Sequence, residues 1–510
     1  MEVILLLTFL LQQAFMGASC LYLNSTIDVD NPPYSDSPSI HQLAIYAATH
    51  PNSTAFAENA VGIVYPTLTA SQAIGSRGPI LLQDFFLIEK LQAFNREPEL
   101  CMQKEQAAFL QPGKRTKVVA RLSGANADAG APDTFLNDFK GFAVKFYTEE
   151  GIHDLLSLNV RNFFLRDAVL FDAMNRAFKR NPQTHLFDPS ALMDMISERP
   201  EMTTFLLLIM SDAIVPKSYR SVRAFALNTY KMVNSHGEAV YVKFHWVPHT
   251  KEEFFTLEDA VKMYVLPNVL IQDLYDNIAK KNFASWTLSI QVMTFDQAEK
   301  HPENPFDPTK NWKTDEYPLI PVGTLTLNEN HKNYFINVEQ IAFSPSNMVR
   351  GIESSPDRVL QARLFTYPDA QLYRLGTNFA QIPVNACPFE VKTYRVNGPM
   401  NVGRNGEDAP DYYPNTFHGI NSNDNRSFKQ NVFYVSGDVD RVDTGNDDNF
   451  TPAKYHWEHE ICADERKSII SNLITNLSPV EKRIQKKVLQ RNLYTVNKEL
   501  GDKVKAGLHL

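Results

Sequence analysis

The sequence predicts an α+β fold: an antiparallel β-barrel with helices inserted between its strands, followed by a helical bundle. Three observations carry this. Period-two alternation over short runs, as in Phe142, Val144 and Phe146 against Ala143 and Lys145, marks half-buried strands. Helix-period stretches separate those runs, so the strand pairing is non-local. From Pro452 onward the period turns helical, with Ile469, Ile470, Leu473 and Ile474 recurring at i, i+3/i+4.

Residues 1–20 read as a secretory signal segment: 3–11 form an apolar run too short to span a bilayer, and Gly17, Ala18 and Ser19 are small residues suited to cleavage. Asn-x-Ser/Thr acceptors at Asn24, Asn52, Asn425, Asn449 and Asn476 fit a secreted chain. Residues 21–75 are polar and rich in Ser, Pro and Asn, an extended arm. The globular part begins near Gly78, and 85–94 are apolar at helical spacing. Strands are expected at 117–123, 141–147, 155–165, 225–233, 238–246, 286–293, 323–327 and 333–338, with helices over 168–212 and 255–282. Residues 377–435 have little periodicity and read as a long wrapping loop, and 436–510 as a helical domain.

Composition narrows the function. A formal net charge of -8 leaves no polybasic footprint for nucleic acid, and no later stretch is long and apolar enough to span a membrane. The 33 Phe and 20 Tyr suit a large core or a pocket for a flat ligand. Four Cys, one of them Cys20 in the signal segment, do not make a disulfide scaffold.

The most informative stretch is 363–376. It follows Ser355, Pro356 and Asp357, a helix start signal with Pro at a first-turn position. At ~100° per residue, Arg363, Tyr367 and Arg374 fall within roughly 40° of one another on one helical face. An Arg one turn before a Tyr favours the phenolate, and a phenolate is a hard anionic ligand for ferric iron. Pro368 is expected to kink or end the helix just past the Tyr. A surface helix with a solvated Arg face is the alternative.

Residues 363–376 resemble the proximal haem-ligand motif of haem catalases. Segments 78–84, 141–148, 163–167, 179–186, 290–295 and 341–348 resemble the same family in the same order, so the resemblance runs from about residue 75 to about 495. It implies a catalase fold: an N-terminal arm, an eight-stranded antiparallel barrel over 76–376, the wrapping loop and the C-terminal helical domain, usually as a homo-oligomer. Position by position it implies Tyr367 as the iron ligand and Arg363 as its partner. It places Arg121 and Arg374 on the haem propionates and Phe171 against the macrocycle.

The resemblance fails on the distal side. The family's essential His belongs between the segment ending at Asp84 and the strand holding Arg121, yet no His occurs between His50 and His153. The family's distal Asn falls on Leu158; a one-residue slip would restore Asn159. Gln371 and Asn228 stand where the family has His. Thr204, Ala213, Val247 and Thr314 replace larger polar or charged residues at its NADPH positions, although His245 remains, so no NADPH is expected.

Two functions follow as expectations. One is a secreted tetrapyrrole-binding protein, holding haem or an open-chain bilin without efficient catalase activity. The other is a haem peroxidase or catalase-type oxidoreductase acting on hydrogen peroxide or organic hydroperoxides.

Overall fold

A computed structural model describes Ala44 and residues 67–95, 108–110, 113–124, 131–135, 138–234, 236–389, 391, 393–418, 420, 431–442, 444 and 447–510. The signal segment, most of the arm, Cys20, Cys101 and the acceptors Asn24, Asn52 and Asn425 lie outside the described residues. The chain divides into two compact units. In the smaller, the described part besides Ala44 is a reversal over Lys179–Asp188, closed by Asn181 N–H to the Leu186 carbonyl at 2.8 Å.

In the larger unit the elements run as follows. Strand β1 (Ala73–Ile74) and helix α1 (Phe85–Asn95) precede β2 (Lys117–Gly124), β3 (Lys140–Thr148) and β4 (Gly151–Leu158). Helices α2 (Phe171–Phe178), α3 (Pro189–Glu198) and α4 (Thr203–Ile209) follow. Then come β5 (Ala224–Phe225), β6 (Tyr230–Val233), β7 (Ala239–Pro248), α5 (Leu257–Lys262) and α6 (Val269–Ala279). Next are β8 (Ala284–Met293), α7 (Phe295–Lys300), β9 (Ile320–Leu327), β10 (Ile352–Ser354) and α8 (Arg358–Leu375). The chain ends with β11 (Val439–Asp440), α9 (Thr451–Tyr455), α10 (Ala463–Leu477), α11 (Lys482–Val488) and α12 (Lys498–Gly507).

Nine of the strands form one antiparallel sheet, in which β2, β3 and β4 make a meander and β7, β8 and β9 a second one. Short strands β5 and β6 lie end to end along one edge of β7, and β5 joins the two meanders through Leu158 and Phe225. The sheet curls around a core of Phe142, Val144, Trp246, Trp286 and Leu288, so the expected barrel takes the form of a half-barrel. Among the described residues β2 and β9 each pair on one side only, and no strand lies against the outer edge of β2 to close the ring.

Three expected strands are divided, shorter or absent: the one expected over 225–233 is split into β5 and β6, and the other two change for local reasons. The alternation expected over 155–165 stops at Leu158, because Asn159 accepts the Lys140 N–H at 2.7 Å and donates to the Ile214 carbonyl at 3.1 Å. A strand over 333–338 is replaced by a wide turn at Phe335–Glu339, where the Asn333 side chain accepts from Ile336 N–H at 3.0 Å.

A second core joins α3 and α4 to the C-terminal helices. Ile469, Leu473 and Leu477 of α10, Ile484 and Val488 of α11, and Leu500 and Val504 of α12 bury against Met193, Ile196 and Phe205. Their i, i+4 spacing is the apolar stripe read from the sequence, each large side chain worth roughly 1.5–3 kcal/mol of burial. Cys387 and Cys462 are free thiols. Among the described residues no helix is long and apolar enough to cross a membrane.

Candidate functional site

Helix α8 sits where three apolar clusters meet. Leu360 and Leu364, one turn apart, enter the core of the curled sheet; Ala362 and Phe365 face the helical core. Tyr367 faces a third, smaller cluster of Ala143, Leu156, Ile341, Phe343 and Val384, with Val119 and Ile382 at its edge. Asp357 caps the helix, its carboxylate accepting Val359 and Leu360 N–H, both at 2.9 Å. Pro356 therefore precedes the cap instead of occupying the first turn. The helix also runs on through Pro368 to Leu375 and ends at Gly376, whose φ of +95° favours glycine. Packing on both sides of Pro368 outweighs the backbone bond it removes.

The expected pairing of Arg363 with Tyr367 is present. Arg363 Nη2 donates to Tyr367 Oη at 3.3 Å, and the guanidinium carbon lies 5.1 Å from the ring centroid. Burial works against the Arg363 cation, but Tyr367, Tyr230 and Asp357 hold it above the ordinary arginine value. Arg363 Nη1 donates to Asn228 Oδ1, and Asn228 Nδ2 donates to Asp357 Oδ2 at 2.9 Å. Burial pushes the Asp357 carboxyl up, against the hydrogen bonds it accepts from Leu360, Asn228 and Thr229.

Arg121 lies on the sheet face that meets this cluster. It stands opposite Ala143, which stands opposite Leu156, so all three side chains leave the same face, with Val119 two residues earlier. Arg121 makes no hydrogen bond or ion pair to the described residues. Leu158, two residues after Leu156, carries this face toward Phe163 and Phe171 in the neighbouring core. The Phe171 ring is nearly parallel to those of Phe163 and Phe164, at 6.4 and 6.2 Å. The register Gly141 to Leu158 keeps Leu158, not Asn159, on the face that carries Leu156.

Arg374 is placed differently from the other cations. Its guanidinium donates to the carbonyls of Glu339 at 2.5 Å and Ile341 at 2.7 Å, and to Gln371 Oε1 at 3.1 and 2.7 Å. It braces the segment that precedes α8. Gln371 is buried and also donates to the Phe343 carbonyl at 3.1 Å.

Sequence reasoning missed one feature of this face. Lys145 and Asp154 form a buried ion pair at 2.7 Å, two residues along from Ala143 and Leu156. Burial drives the Lys145 ammonium well below the usual lysine range. Asp154 also accepts from Ser344 N–H at 3.0 Å and Asn347 Nδ2 at 2.8 Å, which pins the segment leading to α8. The signal was a charge at a polar position of an alternating strand whose other face is core, and such positions are more often solvated.

A family model described as catalase matches residues 58–419. The chain belongs to the haem catalase family. A second model, described as catalase-related immune-responsive, matches residues 444–508. The chain is 41% identical over 472 residues to a catalase of Sus scrofa, covering 88% of each chain. It is 39% identical over 466 residues to a catalase of Drosophila melanogaster, covering 86% of this chain and 92% of that one. Among solved structures, a fungal catalase aligns with a TM-score of 0.76 at 33% identity, over 90% of this chain and 97% of that one. Catalase A of Saccharomyces cerevisiae aligns with a TM-score of 0.75 at 34% identity, over 90% and 99%. Haem is the cofactor of this catalase family. A phenol with a guanidinium on its oxygen, the apolar cluster of Ala143, Leu156 and Phe343 beside it, and on the same sheet face the guanidinium of Arg121, with no polar partner among the described residues, fit a tetrapyrrole bearing carboxylates. The described residues hold no cluster of His, Cys, Asp and Glu that would bind a metal by another route.

Two other expectations meet the structure. Asn449 is only 5% exposed and accepts from Arg166, so this acceptor is covered in the folded chain. His245, the one retained NADPH-position residue, hydrogen-bonds Gln291 at 3.0 Å, and burial lowers its imidazole to about 4.

Proposed function

We propose that this catalase-family chain is a haem-dependent oxidoreductase that consumes hydrogen peroxide or organic hydroperoxides, and that Tyr367 would hold the haem iron. The observation that carries this is Tyr367 with Arg363 on one wall and Arg121 opposite Ala143 on the other. The catalases it resembles over most of its length favour this reading over a purely ligand-holding one.

Bound haem supplies a redox-active iron at which a peroxide O–O bond is broken. The protein's part is positioning. Arg363 keeps a cation at the phenol oxygen, Arg121 offers a cation to a carboxylate, and Val119, Ala143 and Leu156 exclude water. No His stands between His50 and His153, and Leu158 brings an apolar side chain to the end of β4. Loss of one general acid–base typically costs ~10²–10⁴ in rate, so dismutation is slow here. The balanced reactions are 2 H₂O₂ → 2 H₂O + O₂ and ROOH + 2 AH → ROH + H₂O + 2 A, with AH a one-electron donor.

A second reading is a haem or bilin carrier without turnover, favoured by the same His-free interval and by the unpaired outer edge of β2 among the described residues. We also propose a secreted homo-oligomer, on the apolar run at 3–11 and the family's usual assembly.

The test is to load the full chain with haem, record its spectrum, and follow oxygen release and donor-coupled hydroperoxide reduction. The expected result is a Soret band with turnover ~10²–10⁴ below a catalase carrying the distal His. A haem-bound protein inert to both peroxide classes sinks the oxidoreductase reading and leaves the carrier. Failure to take up haem or bilin removes both.

A further inference from the structure

Charge is divided unevenly along this chain. The whole sequence carries a formal net charge of -8, yet residues 481–510 hold eight Lys and Arg against three Asp and Glu. The excess sits on the last two helices, α11 and α12, whose apolar sides are fixed: Ile484, Val488, Leu500 and Val504 are each 1% exposed or less. The charged sides therefore stand on a rigid base.

Most of these cations are used inside the fold. Lys487 and Arg491 both reach Glu198 on α3. Arg483 pairs with Glu481, Lys498 with Asp502 and Lys503 with Glu499. Lys482, Lys486 and Lys505 are exposed and pair with no carboxylate among the described residues. Lys482 Nζ donates to the Leu508 carbonyl at 3.4 Å, which sets the first turn of α11 against the last turn of α12, where Lys505 stands one turn before Leu508. Lys486 follows Lys482 by one turn on the same side of α11. Like charges thus gather on one face, and the acids beside them in sequence, Glu481 and Asp502, are already engaged.

A structural role accounts for part of this. A cation in the last turn of α12 offsets the negative end of that helix, and Lys482 serves a carbonyl there. Lys486 does neither. It adds a like charge one turn from Lys482, an arrangement that weakens a helix, and an anion laid across the face relieves that repulsion.

The kind of anion follows from the surroundings. Among the described residues from 440 to 510 no large apolar side chain is exposed, so the face has no wedge to sink into a bilayer and no ring on which a nucleic-acid base could stack. What it offers is a set of compact ammonium charges on rigid helices. We infer that Lys482, Lys486 and Lys505 form a docking face for a linear sulfated polysaccharide. Meeting such a polymer outside the cell rests on the proposed secretion; the binding itself does not.

The test uses the full chain with heparin as the probe, followed by isothermal titration over a series of salt concentrations. Heparin is expected to bind at low salt and to weaken steeply as salt rises. The triple variant Lys482→Gln, Lys486→Gln, Lys505→Gln is expected to lose affinity by about tenfold or more and to flatten the salt dependence. Lys300→Gln, which removes an exposed cation paired with Asp296 on α7, is expected to change neither. Absence of heparin binding, or a triple variant that keeps the parent's affinity, overturns the inference. Equal or tighter binding to vesicles rich in anionic lipid, or to double-stranded DNA, overturns the assignment to a sulfated polysaccharide. Should the triple variant fail to fold, Lys486→Gln alone is measured; it breaks no bond to the described residues, and an unchanged affinity there overturns the inference equally. Retention of the chain inside expressing cells removes the secreted reading, while the heparin titration still decides the face.

Discussion

On the helix wall of the site, Tyr367, Arg363, Asn228 and Asp357 satisfy one another through an unbroken run of hydrogen bonds. The sheet wall presents Val119, Ala143 and Leu156, and one guanidinium, Arg121, with no polar partner among the described residues. The first wall is finished before any ligand arrives. The second is complete only with something anionic against it. A preorganised ligand wall costs nothing to assemble at binding, whereas a half-buried cation awaiting a partner gives affinity to the molecule that supplies one. The wall that would steer protons is the one without a His in its sequence interval, so binding and turnover separate along the same divide.

The largest test of this contrast is Asp357→Ala. It removes two cap acceptors and the anchor of Asn228 and Thr229, and is expected to lower unfolding free energy by about 3–4 kcal/mol in urea denaturation. Tyr367→Phe leaves the fold intact but is expected to weaken ferric haem binding by about 100-fold, read by absorbance titration. A variant with an unchanged ferric spectrum would refute the assigned ligand.

Arg121→Gln should behave in the opposite sense to Asp357→Ala. Haem affinity is expected to fall by about tenfold while stability of the haem-free protein holds within ~0.5 kcal/mol, because no hydrogen bond or ion pair to the described residues is lost. Equal stability losses at Arg121 and Asp357 would erase the distinction between the walls.

A control lies outside both. Glu460 sits beside Arg161 and His456; burial raises its carboxyl, but hydrogen bonds from His456 and Arg161 outweigh this and bring it down to about 2. A depressed carboxyl contributes stability above its unfolded value, lost as pH falls toward about 2. Glu460→Gln is expected to remove about 1–2 kcal/mol of pH-dependent stability between pH ~4.5 and ~2, after discounting for partial exposure. The haem spectrum at pH 7 should be unchanged.

What could be read from the sequence divides along the same lines. The Arg363 to Tyr367 spacing of one turn and the apolar stripe of α10 are local, and each appears in the structure as read; β3 is a strand as read, but it is buried on both faces instead of half-buried. The halt of β4 at Asn159 and the turn at Asn333 depend on side chains capturing backbone groups, which alternation does not reveal. Asn228 stood out only as a replaced His; its hydrogen bond to Asp357 joins residues 129 positions apart, and no spacing rule links the two. Arg374 fell on the right helical face, but its carbonyl partners lie on the preceding segment. Pro368 shows tertiary packing overriding a local rule.

The reach of the Asp357 to Asn228 bond also bears on how the molecule assembles. Strands β3 and β4 are joined by the two residues between Thr148 and Gly151 and can pair early, whereas α8 must cross 129 positions to reach Asn228. The sheet wall would thus begin to form before the helix that faces it. A tetrapyrrole present during synthesis would meet that wall first, and the step that completes the site would be the docking of Asp357 beside Asn228.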